Sequence, residues 1–111
     1  MDYAATADFS LLEKSVSEAR KLGSTFHVGK ILSSDTFYAD NPDSWKIWAE
    51  FGLIAVEMEA AALYTIASKF GIKALSLLTI SDSMVDGSSS SSEDRENTFT
   101  DMMEIALNTV M

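Results

Sequence analysis

Three carboxylates and one arginine are the side chains of this sequence best placed to do chemistry: Glu57, Glu59, Asp82 and Arg95. Glu57 and Glu59 lie in Leu53-Ile54-Ala55-Val56-Glu57-Met58-Glu59-Ala60-Ala61-Ala62, where an apolar run meets three alanines. The run reads as a buried strand and the alanines as the first turn of a helix. In extended chain, residues two apart point the same way, so both carboxylates can face one side. The end of a strand in an open α/β sheet is also where ligands bind. The plainer alternative is that both are helix N-terminal acids, favoured there by the helix dipole. Asp82 closes a second apolar run, Ile72 to Ile80, as Ser81-Asp82. If the two strands are neighbours, all three acids share one edge of the sheet. Like charges gathered in a cleft raise one another's pKa, which makes a proton donor. Asp82 is the best candidate for that role. Arg95, thirteen residues on, stands in the first turn of the last helix. A flexible loop between them would let it swing toward the aspartate.

The rest of the chain supplies the elements that position these groups. Residues 8–22 carry Phe9, Leu12, Val16, Ala19 and Leu22 at helical spacing, with Asp8 or Thr6 to cap the start and Gly23 to end it. Residues 25–32 read as a strand interrupted by Gly29, followed by the loop Ser33-Ser34-Asp35-Thr36-Phe37-Tyr38. His27, the one histidine, is most simply a packed or surface residue. Asn41-Pro42 reads as the cap and first residue of a helix whose Trp45, Trp48 and Phe51 form a stripe for the core or a subunit contact. Residues 60–70 continue as a helix ended by Gly71, and 72–80 read as a buried parallel strand. Residues 83–93, with serines at 88–92, read as a mobile loop. In the final helix, 94–110, Phe99, Met102, Met103, Ala106 and Val110 read as core fillers. Alternating helices and largely parallel strands make this an α/β chain, and 111 residues make at most one domain.

Composition removes several function classes. Apolar residues make up 47% and charged residues 23%, as in soluble globular chains. No apolar run is long enough to span a bilayer, and the start lacks the pattern of a signal peptide. The absence of cysteine excludes disulfides and thiolate metal sites and fits a reducing cytoplasm. With 17 acidic against 8 basic residues the net charge is −9, which argues against binding nucleic acid. One histidine without cysteine makes a zinc site poorly supported.

Four blocks give the chain a family resemblance. Val56-Glu57-Met58-Glu59-Ala60-Ala61, Thr79-Ile80-Ser81-Asp82, and Glu93 to Phe99 with Asp101-Met102-Met103 resemble the hexameric bacterial-type purine nucleoside phosphorylases. Gly29 to Tyr38 resembles that family's base-site segment. The blocks stand at the family's spacings and cover essentially the whole chain, which resembles the C-terminal half of members roughly twice as long. The chain is thus expected to be a single, partial phosphorylase domain over residues 1–111.

The resemblance implies particular roles. Glu59 accepts hydrogen bonds from the ribose 2′- and 3′-hydroxyls, and Met58 packs on the sugar. Phe37 stacks on the purine, Val56 and Ser34 line the base pocket, and Ser81 and Glu57 lie beside the base. Asp82 protonates N7, Arg95 assists, and inorganic phosphate attacks the ribose to give ribose 1-phosphate and free base. Phosphate is a co-substrate and no cofactor is implied. The expected partners are a purine nucleoside, phosphate and further copies of the chain, in the family a hexamer. The family's phosphate-holding groups belong to the half that this chain does not match. Two departures lie around the loop: Ser83 stands where the family usually has histidine, and a serine run replaces a threonine-rich segment.

Two other readings stay open at this point. A methylthioadenosine/S-adenosylhomocysteine nucleosidase shares the Glu-Met-Glu segment and the Ser-Asp, but Arg95 in its context favours the phosphorylase. A non-catalytic fragment that assembles only with its missing N-terminal half is the third, since without phosphate ligands the nucleophile is not positioned.

Overall fold

The computed structural model describes residues 2–36, 41–85 and 91–111. In chain order the elements are α1 (Phe9–Leu22), β1 (Lys30–Ser33), α2 (Trp45–Glu50), β2 (Leu53–Glu57), α3 (Ala60–Phe70) and α4 (Ser92–Val110). The mixture of helices with a parallel strand pair is that of an α/β fold. The chain falls into two compact units, Met1–Thr6 with His27–Ile72 and Ala7–Phe26 with Lys73–Met111.

The first unit is a β–α–β arrangement with α3 following. β1 and β2 are parallel, in the register Lys30↔Leu53, Ile31↔Ala55, Leu32↔Val56 and Ser33↔Glu57. The register slips between Lys30 and Ile31, which leaves Ile54 without an opposite number. The glycine at 29 suits this bulge, because a Cβ there would lie 2.8 Å from Ile54 Cδ1. The Lys30 ammonium donates to the Phe51 carbonyl at 2.5 Å, tying the start of β1 to the turn before β2. Burial in β2 alternates, with Leu53, Ala55 and Glu57 more covered than Ile54 and Val56. A two-stranded sheet is covered on one face only, so the strand is half-buried where a fully buried one was expected.

α3 buries Ala60, Tyr64 and Ala67 along one stripe. Tyr3 donates its hydroxyl to Thr65 Oγ1 at 2.6 Å, which pins the N-terminal segment to this helix. The helix stops at Gly71, whose φ of 66° is the left-handed conformation that closes a helix at little cost only in glycine.

α2 is shorter than Asn41-Pro42 leads one to expect. Asn41 closes a turn instead, its Oδ1 accepting the Asp43 amide at 2.9 Å and its carbonyl the Ser44 amide at 3.1 Å. This local turn competes with helix initiation and delays it to Trp45. Trp48 and Phe51 are exposed, so the expected core role of that stripe does not hold for them.

In the second unit α1 packs against α4. Asp8 caps α1, its carboxylate accepting the Leu11 amide at 2.9 Å and the Ser10 hydroxyl. Among the described residues the buried positions of these helices are small: Ser15 and Ala19 on α1, Thr109 on α4. Ser15 and Thr109 return their hydroxyls to the helix backbone, at Leu12 and Ile105. The covered side of α4 runs through Met102, Ile105, Ala106 and Thr109, whereas Phe99, Met103 and Val110 are exposed. Met102 and Ala106 therefore fit the expected stripe and the other three do not, because the small-residue seam turns the helix toward Thr109. α4 begins two residues earlier than expected, at Ser92, because Ser91 caps it through the Asp94 amide at 3.0 Å.

The expected third strand joins no ladder among the described residues. Residues 73–81 are held by other means: Ala74 accepts the Asp8 amide at 2.9 Å, and Thr79 donates to the Met102 sulfur at 3.3 Å. The segment is thus fastened to the start of α1 and to α4.

Candidate functional site

At the C-terminal ends of the two strands the chain turns sharply into α3. The first amides of that helix have no partner within it and must be satisfied elsewhere. Glu57 Oε2 accepts the amides of Glu59 at 2.6 Å and Ala60 at 2.7 Å. Ser33 Oγ accepts the next one, Ala61, at 3.1 Å. Three successive amides are thereby taken up by two side chains that are partners in the β ladder. Ser34 joins the corner by donating its amide to the Glu57 carbonyl at 2.9 Å.

Glu59 occupies the N-cap position of α3 yet makes no side-chain cap bond. It is exposed, and Met58 beside it is 39% exposed. A carboxylate in that position is able to accept from two hydroxyl groups at once. Burial pushes the Glu57 carboxyl up, but the amides of Glu59 and Ala60, the Ser33 hydroxyl and the Met58 amide outweigh it. The net result holds Glu57 below the ordinary glutamate range, as expected of a carboxylate accepting several amides. Its other oxygen, Oε1, is shut off from solvent and within bonding geometry of no described donor.

The second unit holds the other predicted groups. An open cavity of about 430 Å³ is lined by Thr79, Ser81, Ser92, Arg95, Glu96 and Phe99. Ser81 donates to Asp82 Oδ2 at 3.2 Å. The end of the 73–81 segment and the first turn of α4 therefore bring Ser81, Asp82 and Arg95 into one neighbourhood, with an apolar ring, Phe99, beside them. Arg95, which lines the cavity, supplies a fixed positive charge there, and Asp82 adjoins it only through Ser81.

Of the residues singled out by sequence, Ser34, Val56, Glu57, Met58 and Glu59 gather at the strand ends of the first unit. Ser81 and Arg95 line the cavity of the second, and Asp82 is bonded to Ser81 beside it. Phe37 lies outside the described residues, as do three of the five serines of the run. Ser33, Thr79, Ser92, Glu96 and Phe99 were not singled out for a site. For Ser33 a signal existed, since a hydroxyl ending a strand beside a parallel neighbour is placed to meet the next helix's amides. His27 is exposed, in keeping with a surface histidine.

Sequence comparison decides the lineage. The profile of the phosphorylase superfamily matches residues 2–110. The chain belongs to the phosphorylase superfamily. It is 55% identical over 107 residues to the DeoD-type purine nucleoside phosphorylase of Caldanaerobacter subterraneus subsp. tengcongensis, a match that covers 96% of this chain and 46% of that protein. The Alkaliphilus metalliredigens protein of the same name is 56% identical over the same share. The Colwellia psychrerythraea protein is 49% identical over 111 residues, covering 100% of this chain and 47% of the relative. This phosphorylase-superfamily chain thus spans about half the length of the curated relatives it matches, in their C-terminal portion.

Proposed function

We propose that this chain carries the nucleoside-binding and proton-donating part of a purine nucleoside phosphorylase. The whole enzyme would convert a purine ribo- or 2′-deoxyribonucleoside and phosphate to free base and the sugar 1-phosphate. The observation that carries the reading is the identity of 55% with DeoD-type phosphorylases across nearly the whole chain.

In the reaction as proposed, the Glu59 carboxylate accepts the ribose 2′- and 3′-hydroxyls and Met58 packs on the sugar. Val56, Ser34 and Phe37 hold the purine, with Ser81 at its edge. Asp82 delivers a proton to N7, so the N9–C1′ bond breaks with its electron pair passing to a neutral base. Arg95 supports that transfer with its positive charge. Phosphate then attacks the electron-poor C1′ and completes the sugar 1-phosphate. Phosphate enters as co-substrate, and no cofactor takes part. Glu57 is the exception among the predicted ligand residues, since one of its carboxylate oxygens is bound to the chain's own amides.

The proposal extends to residues 1–111 as part of a single phosphorylase domain, to a homo-oligomer, a hexamer by the family resemblance, and to a cytoplasmic setting. Among the described residues no helix is long and apolar enough to cross a membrane. The net charge of −9 gives no support to a nucleic-acid partner.

The test is release of hypoxanthine from inosine by the purified chain, alone and mixed with the N-terminal portion of a relative, with and without phosphate. Release that requires phosphate and is lost in Asp82→Asn supports the proposal. Release without phosphate would make the enzyme a nucleosidase. No release in any mixture would leave the superfamily's residues without its activity.

A further inference from the structure

A residue at an N-cap position ordinarily folds its own side chain back onto the amides of the second or third helical residue. At α3 that residue is Glu59, and its carboxylate makes no such bond. Glutamate is not among the side chains that favour this fold-back, and neighbouring groups take up the amides instead. Glu57 Oε2 has taken the amides of Glu59 and Ala60, at 2.6 and 2.7 Å. Ser33 Oγ has taken that of Ala61, the second helical residue, at 3.1 Å. The first helical carbonyl bond then begins at once, from the Leu63 amide to the Glu59 carbonyl.

We propose that Ser33 and Glu57 form an internal cap on α3 that replaces Glu59 in this task, so that the Glu59 carboxylate stays turned outward for a vicinal diol. Both are positioning residues. Glu57 acts through the helix start: Oε2 is occupied by two amides, and Oε1 is shut off from solvent. This differs from the place beside the purine base that the family resemblance implies for Glu57. The lowered pKa of Glu57 is in keeping with a carboxylate that caps. The pairing is built by the sheet, since Ser33 and Glu57 are partners at the last rung of the β1–β2 ladder. A loop residue would have to be ordered to reach those amides; two strand-end side chains are already in place.

The diol in this role rests on the phosphorylase reading, whereas the cap does not. The test therefore uses no nucleoside, and its failure is separate from failure of that reading. Backbone amide resonances of the 111-residue chain are followed by NMR from about pH 7 to about pH 3, a range that spans carboxylate titration. The wild type is compared with Glu57→Gln, Glu59→Gln and Ser33→Ala. With the internal cap in place, the Glu59 and Ala60 amide protons shift along one titration curve. That curve persists in Glu59→Gln and is lost in Glu57→Gln. Hydrogen exchange at the Ala61 amide rises about tenfold in Ser33→Ala, with the rest of α3 little changed. A curve that survives in Glu57→Gln and vanishes in Glu59→Gln makes Glu59 the cap of its own helix and overturns the proposal. The absence of any titration at these amides, in a chain whose other helical amides are protected, overturns it as well. If Glu57→Gln does not fold, Glu59→Gln decides alone: persistence of the curve supports the internal cap and its loss refutes it.

Discussion

Ser33 and Glu57 are partners across the last rung of a parallel ladder, and both turn their side chains to the same helix start. Between them they accept the amides of Glu59, Ala60 and Ala61. None of the three bonds depends on a loop for its acceptor, so the corner that carries Met58 and Glu59 is fixed by the sheet itself.

Loss of either capping side chain should be felt in stability. Glu57→Ala and Ser33→Ala are each expected to cost about 1 kcal/mol, the usual worth of a cap. Because they act on adjacent amides, the double substitution should cost measurably more or less than the two separate effects added together. Urea unfolding monitored by circular dichroism provides the comparison, and strict additivity would show that the two caps act independently.

Stability should also fall on acidification. Glu57 and Asp8 both have pKa values lowered in the folded chain, Glu57 by amide and hydroxyl hydrogen bonds that outweigh burial, Asp8 chiefly by the Ser10 hydroxyl and the Leu11 amide. A carboxyl whose folded pKa lies below its unfolded one stabilises the fold above the unfolded value and stops doing so as pH drops through the folded value. The urea midpoint is therefore expected to hold near neutrality and to decline below about pH 4, where free carboxylates titrate. In Asp8→Asn and Glu57→Gln the decline should be shallower.

Two glycines separate backbone strain from side-chain crowding. Gly71 has φ of 66° with open space where a methyl group would stand, so Gly71→Ala meets only the left-handed backbone penalty of about 1 kcal/mol. Gly29 has no such conformation, but a Cβ would meet Ile54 Cδ1 at 2.8 Å. Since that atom ends a flexible side chain more than half exposed, Gly29→Ala is expected to cost less than Gly71→Ala. Thermal melts of the two variants rank them directly.

The small-residue seam of α1 and α4 offers a test of packing. Ala19 is 4% exposed, beside Ser15 and opposite a helix whose buried residue is Thr109. Ala19→Leu would overfill this seam and is expected to destabilise by about 1–3 kcal/mol. Phe9→Ala, at a position 70% exposed on the same helix, should change the urea midpoint far less.

For the proposed reaction, Asp82→Asn in the chain completed by its N-terminal portion is expected to lower kcat by about 10²–10⁴, the usual contribution of a positioned proton donor. Glu59→Gln should act differently, weakening binding of ribonucleosides more than that of nucleosides lacking the 2′- and 3′-hydroxyls. Steady-state rates with inosine and 2′,3′-dideoxyinosine distinguish the two effects. Equal losses on both substrates would remove Glu59 from the diol.

Local sequence determined a good deal of this chain. Asp8 and Gly23 bracket α1, Gly71 ends α3, and the run from Leu53 to Glu57 becomes a strand that passes straight into a helix. These features depend on side chains and backbone conformations within a few residues of one another, which is why they are legible without a fold. Ser81 and Arg95, fourteen residues apart in the sequence, meet at one cavity only in the folded chain. Long-range partnership was not legible. The apolar run from Ile72 to Ile80 has the composition of a strand, yet among the described residues it joins no ladder, with Ala74 bonded to Asp8 and Thr79 to Met102, and composition does not name a partner. Nor does spacing tell which of Glu57 and Glu59 caps α3, because a carboxylate at either position is able to accept an amide of the first turn. Only the parallel pairing of β1 with β2 decided it, by setting Ser33 beside Glu57 so that the two accept the amides of Glu59, Ala60 and Ala61.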